Sequence, residues 1–303
     1  MRIAILSKGP KNFSTQRLVE AARARGHEVE VVNYIKCYVK VEKGRPVVSY
    51  DGYDLTGFDA VIPRIAASYT RYGTAIVRQF EMQGVYTPVS SIAIARSRDK
   101  LRTLQLLARA GIGIPKTIFA RSAADAGALI DELGGTPVII KLARGTHGAG
   151  VVLAETKKAA KSVLQAFYVM DVDGTNILLQ EFVKESAGTD IRAFVVGGKV
   201  VASMQRQSLD DDFRSNLHQG GKGQNVKLTE EERKTAVKTA RAMGLSVCGV
   251  DMMRSERGPL VLEVNSSPGF GIEKVTKRDV AEKIIEYIEL NAKRRTKKDR
   301  IGA

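Results

Sequence analysis

The sequence predicts a mixed α/β and α+β protein with more than one domain. Three patterns carry that expectation. The first 33 residues read strand–helix–strand, residues 117–167 alternate short strands with helices, and residues 177–265 hold apolar strands in pairs joined by tight turns. At about 150 residues per domain, a chain of 303 residues fits roughly two domains, or three small ones.

Taken in order, Arg2–Leu6 is an apolar run short enough for a buried strand, Thr15–Arg25 a helix closed by Gly26, and Glu28–Asn33 a second strand. Phe58–Pro63 reads as a third strand ended by proline, followed by a helix over Thr74–Met82, so the first hundred residues read as one open α/β unit. No G-x-G-x-x-G follows the first strand, which argues against a dinucleotide-binding oxidoreductase. Ser90–Arg98 bridges into a helix over Asp99–Ala110 capped by Gly111, and a boundary is placed there. The strand Thr117–Ala120, helix Ala123–Leu133, strand Val138–Lys141, strand Gly150–Ala154 and helix Lys157–Phe167 form a small α+β unit. The polar turn Asp171–Thr175 ends it. From Ile177 a third section begins. Ile191–Val196 and Lys199–Arg206 flank Gly197-Gly198, a hairpin signal, and after a polar stretch the helix Glu230–Met243 leads to two further strands.

Composition narrows the function classes. An apolar share of 44% is too high for a disordered chain, and nowhere do about 18 apolar residues run together as a membrane span requires. Two cysteines make no disulfide framework, which points to a reducing, cytoplasmic setting, and three scattered histidines are too few for a zinc cluster. The formal charge of +15 favours polyanionic company, whether nucleotide, acidic peptide or nucleic acid, without choosing among them.

The strongest local signal lies in Ser246–Asp251 and Leu260–Asn265, joined by the turn Ser255–Pro259. Side chains alternate along a strand, so Glu263 and Asn265 share a face, and a hairpin folded near Arg257 brings Asp251 opposite or nearly opposite Glu263. A polar solvent face is the plain alternative. The apolar residues around the cluster favour a hard cation, because two uncompensated carboxylates among buried strands repel each other.

Pro137–Lys141 ends a buried strand with a cation, and Gly145-Thr146-His147-Gly148-Ala149-Gly150 follows. Val151 stands where a P-loop needs Lys-Ser/Thr, so this is no Walker A motif, yet a glycine-rich turn can still wrap backbone N–H groups around phosphate oxygens. A tight turn beside a surface lysine is the alternative. Glu181–Glu185 and Asp190-Ile191-Arg192 are weak signals taken alone, since charges at strand edges are usually solvated. Arg214-Ser215-Asn216 lies in a polar loop rich in anion donors, open to two readings: an anion contact or a mobile surface loop.

With these elements in place, the chain resembles the RimK-like ligases of the ATP-grasp superfamily nearly end to end. The resemblance is carried by Phe58–Ile65, Arg78–Met82, Ile94–Leu101, Gln105–Arg109, Gly150–Thr156, Asp212–His218 and Gly258–Asn265. It implies an ATP-grasp fold behind an N-terminal open α/β, pre-ATP-grasp domain. The domains would be 1–98, a central lid subdomain over 99–176, a C-terminal subdomain with the metal site over 177–292 and a basic tail over 293–303. By the same resemblance Lys100 and Lys141 hold the ATP phosphates under the glycine loop. Glu181 and Phe182 meet adenine, Asp190 contacts the ribose, and Arg214, Ser215 and Asn216 lie at the nucleotide, with Arg214 and Lys141 serving catalysis beside the transferring phosphoryl group. Asp251, Glu263 and Asn265 bind Mg²⁺, for which Mn²⁺ can substitute.

The implied activity is ATP-dependent addition of L-glutamate to the acidic C-terminal tail of a small-subunit ribosomal protein, through an acyl phosphate, with release of ADP and phosphate. The resemblance further suggests a homo-tetramer, needs no direct nucleic-acid binding and involves no membrane. A related ligase with a small-molecule or other carrier-protein acceptor is the runner-up. A non-catalytic RNA- or ribosome-binding protein is the reading from another class, disfavoured because every ligand-type residue is present and the interleaved aromatics of a stacking platform are missing. The chain departs from the family pattern at Gly269-Phe270-Gly271, one residue shorter beside the ligand pocket, and at the Asp171–Thr175 turn, a small insertion.

Overall fold

A computed structural model of the chain describes residues 1–120, 126–142, 150–170, 177–186, 188–208 and 222–293, the side chains of 168–170 excepted. The N-terminal unit starts with β1 (Arg2–Ser7), α1 (Phe13–Ala24) and β2 (Glu28–Val32). The parallel sheet β2-β1-β6 is completed by β6 (Ala60–Arg64), which runs on through Pro63 instead of ending there. Pro63 lies opposite Leu6 at the sheet edge, where a missing N–H leaves the single ladder intact.

Between β2 and β6 the chain departs from one open α/β unit. It inserts an antiparallel sheet of β3 (Cys37–Glu42), β4 (Arg45–Tyr50) and β5 (Tyr53–Asp54). Its β4–β5 turn places Asp51 and Gly52 at φ +53° and +88°, the two left-handed residues that a tight hairpin of native twist requires. Asp-Gly is a hairpin signal in the sequence that the α/β reading passed over.

Helices α2 (Thr70–Met82), α3 (Ser91–Arg98) and α4 (Lys100–Arg109) follow. Ser90 and Asp99 cap the last two, accepting from the amides of Ala93 (3.2 Å) and Arg102 (2.9 Å).

The central unit holds β7 (Thr117–Ala120), α5 (Ala126–Glu132), β8 (Val138–Leu142), β9 (Val151–Ala154), α6 (Lys157–Met170) and β10 (Ile177–Glu181). Its antiparallel sheet runs β7-β10-β8-β9. The sequence boundary at 176/177 thus falls just before the strand that the sheet wraps around: β10 pairs with both β7 and β8, and Ile177 and Leu179 belong to this unit's own core with Ile130, Val138, Ile140 and Leu164.

The C-terminal sheet runs β13-β12-β11-β14-β15, all antiparallel, from β11 (Thr189–Val196), β12 (Lys199–Gln207), β13 (Lys222–Asn225), β14 (Val247–Met253) and β15 (Leu260–Asn265). Helix α7 (Glu230–Met243) starts on a reciprocal cap. Thr229 Oγ1 accepts from the Glu232 amide at 3.1 Å, and Glu232 Oε2 from the Thr229 amide at 2.8 Å. Helices α8 (Gly271–Thr276) and α9 (Val280–Ala292) close the described chain.

One hydrophobic core joins the N-terminal and C-terminal sheets, from Ile3, Ile5 and Phe80 through Phe194 and Phe270 to Ile285. Leu107 of α4 belongs to it, so the apolar face of α4 packs with these two units. Ion pairs reinforce the seam between α1 and the chain's last helices: Arg17 to Glu273 (2.9 Å) and Asp279 (2.7 Å), and Arg25 to Glu289 (2.7 Å). The central unit is therefore a body with a separate core, carried beside a rigid two-sheet platform.

Candidate active site

The site is built on one end of the five-stranded sheet. Cross-strand pairing sets Asp190 opposite Arg206, Arg192 opposite Asp251, and Asp251 opposite Glu263. Residues two apart share a face, so these side chains form one row across the sheet, ending at Asn265. Signs alternate along it from Arg206 through Asp190 and Arg192 to Asp251. The alternation breaks once, where Asp251 meets Glu263.

Asp251 is 1% exposed and Arg206 3%. Arg192 grips Asp251 as a fork, Nε donating to Oδ1 at 2.7 Å and Nη2 to Oδ2 at 2.5 Å. Arg206 Nη2 reaches the same Oδ2 at 3.0 Å, while its Nε donates to Asp190 Oδ1 at 2.7 Å and Nη2 also bonds Asp190 Oδ2. Against the desolvation of its burial, these two guanidinium groups hold the Asp251 carboxyl well below the ordinary range. Glu263 behaves in the opposite sense. The residue is exposed, yet the protein packed around its carboxylate, and then the charge of Asp251, push its pKa up. Asn265 Nδ2 bridges the two carboxylates, 3.0 Å from Glu263 Oε1 and 3.3 Å from Asp251 Oδ2.

A hard divalent cation fits this donor set. Two carboxylates of like sign sit side by side, and a turn of the Asn265 amide presents a third oxygen to the same point. A register shift between Asp251 and Met252 aims the strand ends at it. Among the described residues no cluster of three histidine, cysteine or acidic side chains is found, so phosphate oxygens or water must complete any coordination.

Two lysines feel the charge of Glu263. Lys141 Nζ donates to Gln180 Oε1 at 2.6 Å, Gln180 being held in turn on Thr117 Oγ1 at 2.9 Å, and Lys100 Nζ donates to the Leu142 carbonyl at 2.9 Å. Burial pushes the Lys141 pKa down to about 8, an effect that Glu263 opposes and Lys100 adds to. Lys100 is lowered by burial as well, again opposed by Glu263. Both are thus strand- or helix-anchored cations without a paired carboxylate among the described residues.

Glu181 takes another part than a plain strand-edge charge: its Oε1 accepts from the Lys116 amide at 2.7 Å and from Arg257 Nη2 at 2.5 Å, which fixes the backbone leading into Phe182. Asp190 is 7% exposed with both oxygens on Arg206, so the structure gives it the task of anchoring that guanidinium, and not an open position for a ribose. Arg192 had been only a weak signal, and Arg206 none. Arg214, Ser215, Asn216, residues 145–149 of the glycine loop, the Asp171–Thr175 turn and residues 294–303 of the tail lie outside the described residues.

The RimK pre-ATP-grasp domain model matches residues 1–94, and the RimK-like ATP-grasp domain model matches residues 97–288. Proteins named probable alpha-L-glutamate ligase from Hydrogenovibrio crunogenus and Nitrosococcus oceani are 58% and 59% identical, over 99% and 97% of both chains respectively. Among solved structures, the ATP-grasp ligase PsnB complexed with a minimal precursor superposes with a TM-score of 0.75 at 21% identity, covering 95% of this chain and 98% of that one. A RimK domain ATP-grasp protein from Sphaerobacter thermophilus gives 0.73 at 22%, covering 95% and 99%. These two likenesses speak to the fold. Both domain matches and the sequence relatives show that the chain belongs to the RimK-like ATP-grasp ligases.

Proposed function

We propose that this protein joins the amine of L-glutamate to the terminal carboxylate of an acidic peptide, the C-terminal tail of a small-subunit ribosomal protein, with ATP converted to ADP and phosphate. The single observation that carries the reading is the break in charge alternation at Asp251–Glu263–Asn265, where Glu263 acts on Lys100 and Lys141. A row that is neutralised everywhere except at one open end, opposite cations with no paired carboxylate among the described residues, is suited to a metal–polyphosphate pair. The relatives' name supports glutamate as the amine, and the formal charge of +15 supports an acidic macromolecular acceptor.

A carboxylate is a poor electrophile. One of its oxygens attacks the γ-phosphorus, the bond to the β-phosphate oxygen breaks, and ADP leaves. The glutamate amine then attacks the carbonyl carbon, sheds a proton to solvent and expels phosphate, leaving an amide. Asp251, Glu263 and Asn265 would hold Mg²⁺, or Mn²⁺ in its place, which would supply charge neutralisation on the phosphoryl oxygens. In this reading Lys100 and Lys141 hold the phosphates, and the family resemblance assigns Arg214, which lies outside the described residues, to the transferred group. Arg192 and Arg206 hold Asp251 in line, so that positioning does most of the work.

The test is mass spectrometry of ribosomal proteins incubated with enzyme, ATP, Mg²⁺ and glutamate. The expected result is one small-subunit protein heavier by whole glutamyl units, with ADP and phosphate as coproducts. Glutamylation of a metabolite alone, or release of AMP and pyrophosphate, overturns the proposal.

A further inference from the structure

Two arginines of the N-terminal unit border the same site and have no paired anion among the described residues. Arg64, at the end of β6, donates Nη2 to the Pro268 carbonyl at 2.8 Å, its guanidinium 5.1 Å from the centre of the Phe270 ring. Arg98, at the end of α3, donates Nη2 to the Ile65 carbonyl at 2.8 Å and feels the charge of Glu263. Among the described residues neither has a carboxylate partner. They are close enough for Arg98 to help burial push the Arg64 pKa down to about 10, an arrangement that costs energy without an anion.

The loop that Arg64 holds is Ser266-Ser267-Pro268, directly after Asn265. The buried atoms Arg98 Nε, Ser266 Oγ and Ser267 Oγ lack hydrogen-bond partners among the described residues, and Ser266 is 2% exposed. The other orphans of this kind, Arg2 Nε, Gln83 Nε2 and Thr239 Oγ1, are scattered elsewhere. Buried donors left unpaired are costly, and a site that concentrates them is shaped for an acceptor that arrives with substrate.

We propose that Arg64 and Arg98, with the hydroxyls of Ser266 and Ser267, form the subsite for the carboxylates that glutamate retains when its amine reacts. This rests on the activity proposed above. The acceptor's reacting carboxylate belongs at the phosphoryl group and the lysines. Glutamate brings two further negative charges that must be held away from the polyphosphate, and planar guanidinium forks match carboxylates in shape as well as charge.

The experiment measures KM separately for glutamate, ATP and acceptor in Arg98→Gln, Arg64→Gln and Ser266→Ala. Losing one charged hydrogen bond should raise KM for glutamate by about 10- to 100-fold in either arginine variant, and losing the neutral hydroxyl by about 3- to 10-fold. KM for ATP should stay within about twofold, and the preference for glutamate over glutamine should fall with the arginine charge. Ser266→Ala removes an unpartnered buried hydroxyl, so its melting temperature should hold or rise while KM for glutamate climbs. That split is one a purely structural role cannot produce, and it decides the matter if an arginine variant fails to fold. Unchanged KM for glutamate, or a rise confined to the acceptor, overturns the subsite. Absence of glutamate-dependent ADP release in the unsubstituted enzyme instead overturns the activity on which the subsite rests.

Discussion

Replacing Arg206 with methionine is the sharpest test of how the site is held together. Arg206 is 3% exposed and its guanidinium bridges two carboxylates, Asp190 at 7% and Asp251 at 1% exposure. Methionine fills much of the same volume, so the cavity contribution is small and the electrostatic one dominates. Asp251 keeps its fork from Arg192, but Asp190 loses both of its bonds and stays buried. Removing one partner of a buried ion pair costs about 3–5 kcal/mol, a large share of a typical domain's total of roughly 5–15 kcal/mol.

The sign of the pH dependence separates this mechanism from a loss of packing. In the natural protein the Asp251 carboxyl is depressed. Its contribution is present above the unfolded carboxylate value of about 3.9 and is lost as pH falls. In the variant, Asp190 keeps only the more distant charge of Arg192, its folded pKa, already raised by burial, rises further, and the folded state holds the extra proton. Stability of the variant relative to the natural chain should therefore fall as pH rises from about 5 to about 8. Urea unfolding followed by far-UV circular dichroism at both pH values reads this directly, the chain having no tryptophan. A loss under about 1 kcal/mol, or one equal at the two pH values, refutes the claim that Arg206 neutralises the row. Asp190→Asn in the Arg206→Met background should recover part of the loss, since the buried charge is then gone.

Other expectations concern catalysis and one turn. Glu263→Ala should abolish ADP release while leaving the melting temperature within a few degrees, because the residue is exposed; retained turnover would remove Glu263 from the metal site. Chelation by EDTA should stop ADP release and added Mg²⁺ restore it, as measured by a coupled assay. With a Lys141 pKa of about 8, ATP binding to the free protein, followed by calorimetry, should weaken as pH rises through that value, because the ammonium is lost, and Lys141→Met should flatten the profile. Gly197 sits at φ +58° with a Cβ position 2.6 Å from the Tyr287 ring, so Gly197→Val should lower stability by at least about 1–2 kcal/mol, scored by thermal melting.

Much of this architecture could be read from the residues because the relevant signals are local. The helix over Glu230–Met243 is bounded in the sequence by Thr229 with Glu232 three residues on, and by Gly244, which takes the left-handed cap at φ +71°. Glu263 and Asn265 share a face for no reason beyond the period of a strand, and the turn near Arg257 is short enough to bring Asp251 opposite Glu263. The inserted sheet of residues 37–54 was legible in principle from Asp51-Gly52, yet it interrupts an α/β rhythm that otherwise continues. The placement of Ile177–Glu181 was not legible, since which sheet a buried apolar strand joins depends on partners remote in the chain.

Arg206 shows where local reading stops. Counting outward from the Gly197-Gly198 turn pairs Val196 with Lys199, and an unbroken ladder would continue to set Asp190 against Gln205. On that count Arg206 would face away from Asp190 and look like one more solvated cation of a basic chain. The ladder slips by one residue between Phe194 and Val195, and that slip places Arg206 opposite Asp190. A single irregularity with no composition signature thus converts an ordinary surface residue into the counter-ion of two buried acids. The consequence for the site is physical. With Arg206 and Arg192 neutralising the inner row, the unbalanced charge is confined to Asp251 and Glu263 at the sheet's open end. Inserting one residue between Ala202 and Gln205, beyond the slip, sets Gln205 opposite Asp190; it should return Arg206 to solvent, strip Asp190 of its guanidinium partner and weaken metal and nucleotide binding together. Deleting Val201, the extra residue of the slip, instead keeps Arg206 opposite Asp190 and should leave both intact. An insertion that left both affinities unchanged would show that the row's neutrality is incidental to the chemistry at its end.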